Sequence, residues 1–433
     1  MSILLPRLPQ DFTMGTLYVR EKIKDQCETY KFGEMSMTFL PYRHIFEIAH
    51  DSTIDHVLST SRSGQELPLD PINALKKVFQ TKAVRAFAIC LYSGMPLDAT
   101  LRILEAIKNS DESLPLLTRP IHMSLENFER FEKDQYLFLA PVFLEGQFDL
   151  ELNEKIPIPI RYSEEDRLGF GSEATVYNAT IDLDHAEIPS LSEQCALKRT
   201  TQQSSMIVLG ILAKSPVATH PHVAKVHAGF TFNGNSYVIA EKVFGDLCKF
   251  MEEKRGAAKS DLTRHWFLLQ LRGLADALKT IHTAVPGYRV HHGDLRTVNI
   301  LVRRRDPGDE RSYEYTLMIN DWGLAKATPL LNTSDTTISS QPPRDFQKSD
   351  VEDLGLVFLK MFVWYTQGFR HMKALEREIS LGRSRNFAQM GGEHLDELER
   401  IDDQVWAGHI RVLRGMLAIE AERLTAAEVC EAL

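Results

Sequence analysis

Apolar positions recur at helical spacing through the first third of the chain and at strand spacing in the middle. Between residues 71 and 94, Leu75, Val78, Phe79, Val84, Phe87 and Ala88 repeat on one face, and Gly94 stands where a helix would stop. Residues 98–109 put Leu101, Leu104 and Ile107 on one face behind Asp98 as the N-cap. Stripes of this kind predict core-facing helices, so residues 1 to about 130 read as mainly helical. The Pro-punctuated stretch EKIPIPIRY (154–162) reads as a connector and puts a boundary near residue 150. Beyond it, Thr175, Tyr177, Ala179 and Ile181 alternate with Val176, Asn178 and Thr180, which is strand periodicity. Long helices return after about residue 260. Leu271, Leu274, Ala275, Leu278 and Ile281 mark one within 261–285. A second, from Leu354 to Trp364, is apolar on every side and belongs in the middle of a fold, with Ser349 to Glu352 as its capping box.

Composition narrows the classes. At 433 residues the chain exceeds one ordinary core, so two or three domains are expected. A formal charge of −9 argues against a constitutive nucleic-acid binder, which needs a broad basic face. The five cysteines are odd in number and lack CxxC spacing, as expected of reduced thiols rather than a disulfide or metal framework. The apolar runs near 137–144 and 354–363 are too short or too interrupted to span a bilayer, and residues 1–12 lack the pattern of a signal peptide. The expected setting is cytoplasmic or nuclear, with no membrane and no nucleic-acid partner. No internal repeat is evident.

Four segments carry candidate chemistry. RLGFGSEATVY (167–177) holds Gly169, Gly171 and Ala174 at G-x-G-x-x-A spacing. A dinucleotide fingerprint would open a helix here, but strand periodicity follows, so the loop joins two strands and its bare backbone can approach phosphates. CALKR (195–199) ends an apolar run at Lys198, well placed to reach phosphate oxygens as a point charge. HHGDLRTVNIL (291–301) and INDWGLA (319–325) bring Asp294, Asn299 and Asp321 close along the chain. Phosphoryl transfer needs a carboxylate to orient the attacking hydroxyl and oxygen ligands to fix Mg²⁺ on the phosphates. Asp294 is the candidate base, Asn299 and Asp321 the candidate metal ligands, and Arg296 a charge for the transferring group. Asp350 is expected to bind the backbone of the loop that carries Asp294. Exposed histidines such as His56 or His409 show no ligand spacing and read as ordinary residues.

The order and spacing of LGFGSEATVY, CALKR, HHGDLRTVN, NDWG and SDVEDLG resemble the eukaryotic protein kinase family, over roughly residues 155–433. The resemblance implies an α+β, bilobal fold: a β-rich N-lobe at about 155–243 and a helical C-lobe at about 244–433, behind a mainly α-helical domain at 1–150. It further implies ATP and Mg²⁺ as cofactors and a protein serine or threonine hydroxyl as acceptor. Carried over, Lys198 matches the lysine on the α/β-phosphates, Asp294 the catalytic aspartate, and Asn299 and Asp321 the magnesium ligands. Leu168, Gly169, Gly171 and Ala174 match the glycine-rich lid. Val176, Ala196 and Leu301 match the residues that sandwich adenine, and the backbone of Glu241 and Val243 matches the hinge that hydrogen-bonds it. Ala240 falls at the gatekeeper, implying an open back pocket, and Arg423 matches the arginine near the closing helix. The stretch 136–159 is also similar to a group of fungal kinase-like proteins with a helical N-terminal extension, which leaves a protein partner for residues 1–150 as an expectation.

Departures from the family pattern accompany the match. No Asp or Glu lies between Glu193 and Glu241, where the family places the glutamate partner of its lysine. Gly293 replaces the arginine that a phosphorylated activation loop would engage. Trp322 replaces the usual phenylalanine, a larger but still apolar plug. QPP (341–343) stands where Ala-Pro-Glu is usual, so Arg423 is expected to lose its partner. RRRDPGDERSYEY (303–315) reads as an enlarged hairpin whose arginines form a solvated tip. The alternatives are a nucleotide-binding pseudokinase acting as scaffold, and a kinase-fold enzyme acting on a small-molecule hydroxyl.

Overall fold

Residues 17–48 contain one feature the apolar pattern does not mark. Helix α1 (Leu17–Gln26) leads into an antiparallel hairpin, β1 (Glu28–Phe32) with β2 (Met35–Phe39), before α2 (Tyr42–Ile48). Phe32, Met37 and Phe39 are buried while Thr29, Lys31, Ser36 and Thr38 face solvent, the alternation of a one-sided ribbon. The computed structural model describes residues 17–48, 76–171, 174–254, 262–304, 315–330, 345–381, 394–400 and 406–433. Leu75, the QPP stretch at 341–343 and the hairpin tip at 305–314 lie outside them.

The described residues of 1–145, 151–198 and 231–234 form one compact unit; those of 146–150, 199–230 and 235–433 form a second. In the first, the expected helix over 71–94 is interrupted. Lys82 and Ala83 both donate to the carbonyl of Val78, which ends one helical segment and starts α3 (Val84–Tyr92) afresh. Helix α4 (Leu97–Ala106) has Pro96 at its N-cap, so Asp98 sits in its first turn and is not the cap. Helix α5 (Leu125–Gln135) is capped by Ser124, whose hydroxyl accepts from Asn127 N. Phe79, Phe87, Ile103, Leu104, Ile107, Phe131 and Phe138 fill the core between these helices, each fully buried apolar side chain contributing about 1.5–3 kcal/mol.

The β-rich part of this unit packs on the same N-terminal residues. Strand β3 (Phe143–Leu144) pairs in parallel with β7 (Ala186–Glu187), while β4 (Ile160–Arg161) and β5 (Arg167–Phe170) each pair antiparallel with β6 (Ala174–Ile181). The glycine-rich loop therefore joins two antiparallel strands, as its periodicity predicts. Tyr177, Ala179 and Ile181 are the buried face of β6. Strand β8 (Gln194–Thr200) extends two residues beyond Lys198. Tyr162 N donates to Lys31 O and Gly33 N to Tyr162 O, so the β1–β2 ribbon is hydrogen-bonded to the chain entering β5.

The second unit contains α6 (Ser204–Leu212), β9 (Val226–Phe232, its last two residues falling in the first unit), β10 (Asn235–Glu241), β11 (Gly245–Asp246) and α7 (Leu247–Lys254). Helix α8 (Arg264–Thr283) follows and buries the predicted stripe. Four short strands come next: β12 (Tyr288–His291), β13 (Ile300–Arg304), β14 (Tyr315–Ile319) and β15 (Lys326–Pro329). β13 pairs with both β11 and β14, and β12 pairs with β15, all antiparallel. The helix expected from Ser349 begins earlier: α9 (Phe346–Gln367) is capped by Asp345, whose side chain accepts from Gln347 N. Its Val351, Leu354, Val357, Phe358, Leu359, Phe362 and Trp364 are all buried. Trp364 Nε1 donates to Met251 O at 2.9 Å and Trp266 Nε1 to Tyr315 O at 2.7 Å, so neither buried indole nitrogen is orphaned. Helices α10 (Phe369–Leu381), α11 (Ala407–Met416) and α12 (Ala426–Ala432) complete the unit. The fold class is α+β, as expected. No helix among the described residues is long and apolar enough to cross a membrane.

Candidate active site

The loop between β12 and β13 is shaped from beneath by one carboxylate. Asp350, fully buried in α9, accepts from His292 N at 2.7 Å on Oδ2 and from Gly293 N at 2.8 Å on Oδ1. His282 Nε2, on α8, stands 3.0 Å from the same Oδ2. Burial pushes the Asp350 carboxyl upward, but His282 and the two backbone donors outweigh it and hold the pKa below the ordinary range. Asp350 thus binds the backbone of this loop, as expected from its place at the start of an all-apolar helix.

The loop's histidine is locked neutral. His292 is fully buried, its Nε2 lies 3.0 Å from Asn320 O, and its Nδ1 accepts from Asp294 N at 3.3 Å. One ring nitrogen donates and the other accepts, which requires the uncharged imidazole; burial lowers its pKa accordingly. Trp322 packs against this ring with centroids 5.1 Å apart, and only 4% of Trp322 is exposed. The apolar plug expected at this position is present.

Asp294 and Asn299 are brought together. Asn299 Nδ2 donates to Asp294 O at 2.8 Å and to Asp294 Oδ2 at 2.7 Å. Both amide protons are thereby used, and the side-chain carbonyl oxygen is the end left to face a cation. Asn299 O accepts from Asn320 N at 2.9 Å, and Ile300 pairs with Ile319, which sets the Asp321 turn beside the loop. Asp321 itself is held at φ +71°, a left-handed backbone that few non-glycine residues adopt, with Oδ1 accepting from Gly323 N at 3.1 Å. An amide carbonyl and a carboxylate are hard oxygen donors of the kind Mg²⁺ takes while keeping several waters and phosphate oxygens; these residues fit that ion. Arg296 is exposed, and its carbonyl accepts from Asn299 N at 2.8 Å.

The remaining candidates divide between the two units. Leu168, Gly169, Gly171, Ala174, Val176, Ala196 and Lys198 belong to the first; Glu241, Val243 and Leu301 belong to the second with Asp294, Arg296, Asn299 and Asp321. Val176, Ala196, Val243 and Leu301 are each half-buried, whereas Leu168 is 55% exposed. Ala240, also half-buried, ends the apolar part of β10.

Several interactions run against the sequence reading or escape it. Arg303 is not on a solvated tip: its Nε donates to Glu241 Oε2 at 2.9 Å and its Nη2 to Glu241 Oε1, forming a fork on β13. The enlarged hairpin itself is present, with Arg304 opposite Tyr315. Arg423 does have a carboxylate partner, Glu352 Oε2 at 2.9 Å. Asp353, one residue on, is pushed up to about 7 by burial and by the nearby charges of Asp350, Glu352 and Asp294. The partners of Arg303 and Arg423 lie tens of residues away in sequence, and no local pattern announces them. His409, expected to be an ordinary residue, is half-buried with Nδ1 unbonded; His56 lies outside the described residues. No group of three or more His, Cys, Asp or Glu suited to a metal occurs among the described residues.

Residues 162–344 match the family model for protein tyrosine and serine/threonine kinase. Over 167 residues the chain is 30% identical to Cell division control protein 2 homolog 3 of Trypanosoma brucei brucei. That alignment takes in 39% of this chain and 48% of the relative, about half of the relative's length. Both findings support a protein kinase domain, and the α+β architecture is protein-kinase-like.

Proposed function

We propose that the chain is an ATP- and Mg²⁺-dependent protein kinase that moves the γ-phosphoryl group of ATP to a serine or threonine hydroxyl. The observation that supports this reading best is the double hydrogen bond from Asn299 Nδ2 to Asp294, which ties the candidate base to the loop and leaves the amide oxygen as the end for a cation. Asp294 orients the acceptor hydroxyl and takes its proton. Asn299 and Asp321 hold Mg²⁺, which when bound neutralises charge on the transferring group. Lys198 contacts the α/β-phosphates, and Gly169, Gly171 and Ala174 let the lid backbone approach them. Val176, Ala196 and Leu301 cover the adenine faces, Leu168 belongs to the lid, and the backbone of Glu241 and Val243 hydrogen-bonds the adenine edge. Arg296 faces the transferring phosphoryl group. We assign the activity to a cytoplasmic or nuclear setting, with the mainly helical residues 1–150 binding a protein partner.

The test is transfer of radiolabel from γ-labelled ATP to generic protein acceptors, followed by phosphoamino-acid analysis. Asp294→Ala is expected to lose about 10²–10⁴-fold in rate, and Asp321→Asn to lose Mg²⁺-dependent turnover. Equal incorporation by wild type and Asp294→Ala would remove Asp294 from the chemistry. A second reading, a nucleotide-binding pseudokinase, is favoured by one observation: α6 (Ser204–Leu212) carries no acidic residue. Mg²⁺-dependent stabilisation by ATP without any transfer would select it.

A further inference from the structure

Glu241 ends β10, and the chain that follows is fastened at both ends and bare in the middle. At one end Glu241 N donates to Lys225 O at 3.1 Å, and Glu241 Oε1 accepts from Lys225 N at 2.9 Å. The same carboxylate is gripped by Arg303 through Nε at 2.9 Å and through Nη2. At the other end Phe244 N donates to Val302 O at 3.0 Å, and Gly245 and Asp246 pair with Val302 and Leu301 of β13. Between these ties, the backbone groups of Lys242 and Val243 have no hydrogen-bond partner among the described residues. Residues 301, 302 and 303 of β13 thus grip the strap 241–246 by ladder, backbone and side chain in succession.

We infer that Arg303 is a positioning residue for the nucleotide: through Glu241 it fixes the strap on β13 so that the backbone at 241–243 presents a constant edge to adenine. The inference rests on the kinase reading above. A two-pronged guanidinium grip constrains both position and orientation of the carboxylate, which a single ammonium does not. Backbone donors and acceptors recognise a planar ligand edge only if their spacing is held before the ligand arrives. Arg303 acts through the Glu241 carboxylate, so its effect falls on nucleotide affinity and not on the chemical step.

The experiment titrates ADP and ATP with Mg²⁺ into the full chain, comparing wild type with Arg303→Met, Arg303→Lys, Glu241→Gln and the Arg303→Met/Glu241→Gln double variant. Either Arg303→Met or Glu241→Gln is expected to weaken adenine-nucleotide binding about tenfold, with the double variant no worse than one single change. Arg303→Lys recovers only part of the loss. In Arg303→Met, KM for ATP rises while kcat stays within about threefold. Inorganic tripolyphosphate with Mg²⁺, which has no adenine, binds all variants equally, and the amide of Phe244 exchanges faster once Arg303 is changed. Tripolyphosphate binding at wild-type strength also certifies that a variant is folded. Nucleotide binding by wild type with equal binding by Arg303→Met overturns the inference alone. No nucleotide binding by wild type overturns the kinase reading and the inference together.

Discussion

Arg423 and Glu352 form an ion pair with Nη2 and Oε2 2.9 Å apart, the arginine side chain 7% exposed and the glutamate 21%. The guanidinium also donates to Ala418 O at 3.1 Å and to Lys348 O at 3.2 Å. The family resemblance led to an arginine whose partner is missing, because QPP at 341–343 contains no acid. The charge comes instead from the second turn of α9, two residues after Asp350. Arg423 therefore ties the segment before α12 to the helix that holds the Asp294 loop, through groups that lie outside 341–343.

Removing one member of this pair leaves a nearly buried charge unmatched. Glu352→Gln is expected to destabilise the second unit by about 3 kcal/mol, the low end for a broken buried pair because Glu352 is partly exposed. Replacing both with methionine restores most of that loss. Denaturant midpoints check this, and an unchanged midpoint for Glu352→Gln would show that the pair contributes nothing.

Gly293 stands at φ +79°, and a Cβ there would lie 2.9 Å from the carbonyl oxygen of Leu324. Restoring the family's arginine with Gly293→Arg meets both a left-handed backbone, about 1–2 kcal/mol against a β-carbon, and a backbone atom that must shift. The variant is expected to lose stability and activity together, with no new response to phosphorylation. Thermal unfolding and the transfer assay check this; a variant as stable as wild type would show that the loop accommodates a side chain.

Asp350→Asn tests the loop's foundation. An amide offers one acceptor oxygen where the backbone of His292 and Gly293 needs two, and its NH₂ faces a donor. The expected cost is about 3 kcal/mol in stability, with activity falling further than the unfolded fraction explains. Activity measured well below the unfolding transition separates the two effects.

Much of this architecture was legible. The stripe from Leu271 to Ile281, the hairpin through 167–181 and the helix apolar on all sides follow directly from periods of 3.6 and 2 and from apolar content. Helix ends were less so: Asp345 and Ser349 both suit an N-cap, and only the observed bond from Gln347 N selects Asp345. The β1–β2 ribbon escaped because its strands are five residues each, and hydrogen bonds to Tyr162 lie far along the chain. Charge pairing was the least legible level. Arg303 and Glu241 are 62 residues apart, and an arginine in a basic triplet reads as solvated until the fold puts a carboxylate beside it.

Asp353 faces Asp350, Glu352 and Asp294, with Arg423 as the nearby cation. Its pKa is raised to about 7 in the fold, against roughly 3.9 when unfolded. Between these values the native state holds a proton that the unfolded chain has lost, so this group's contribution is fully present below about pH 4 and fades as pH rises through 7. Asp353→Asn is expected to be more stable than wild type at pH 8, on the order of 2 kcal/mol, with the gap closing toward pH 5. A gap independent of pH would place Asp353 in its ordinary ionised state.

His185, in the first unit, gives the opposite slope. It is fully buried; Nε2 accepts from Tyr42 N at 3.0 Å, and Nδ1 lies 2.9 Å from Pro141 O, to which it donates. Its ring packs edge-on against Phe39 with centroids 5.0 Å apart. Burial lowers its pKa, opposed by the Pro141 carbonyl and by Asp182 and Asp184, and reinforced by Arg85. A depressed histidine pKa means the unfolded chain binds the proton first, so stability is intact above about pH 6.5 and is lost as pH falls through the lower folded value. Protonation would also set a second N–H against that of Tyr42, breaking the bond that holds the start of α2. Amide exchange across 39–48 is therefore expected to accelerate between pH 7 and pH 5 in wild type. In His185→Gln, which cannot charge, exchange is faster at pH 7 but loses that pH-dependent increment once intrinsic exchange is divided out. The same increment in both proteins would assign the acid sensitivity to another group.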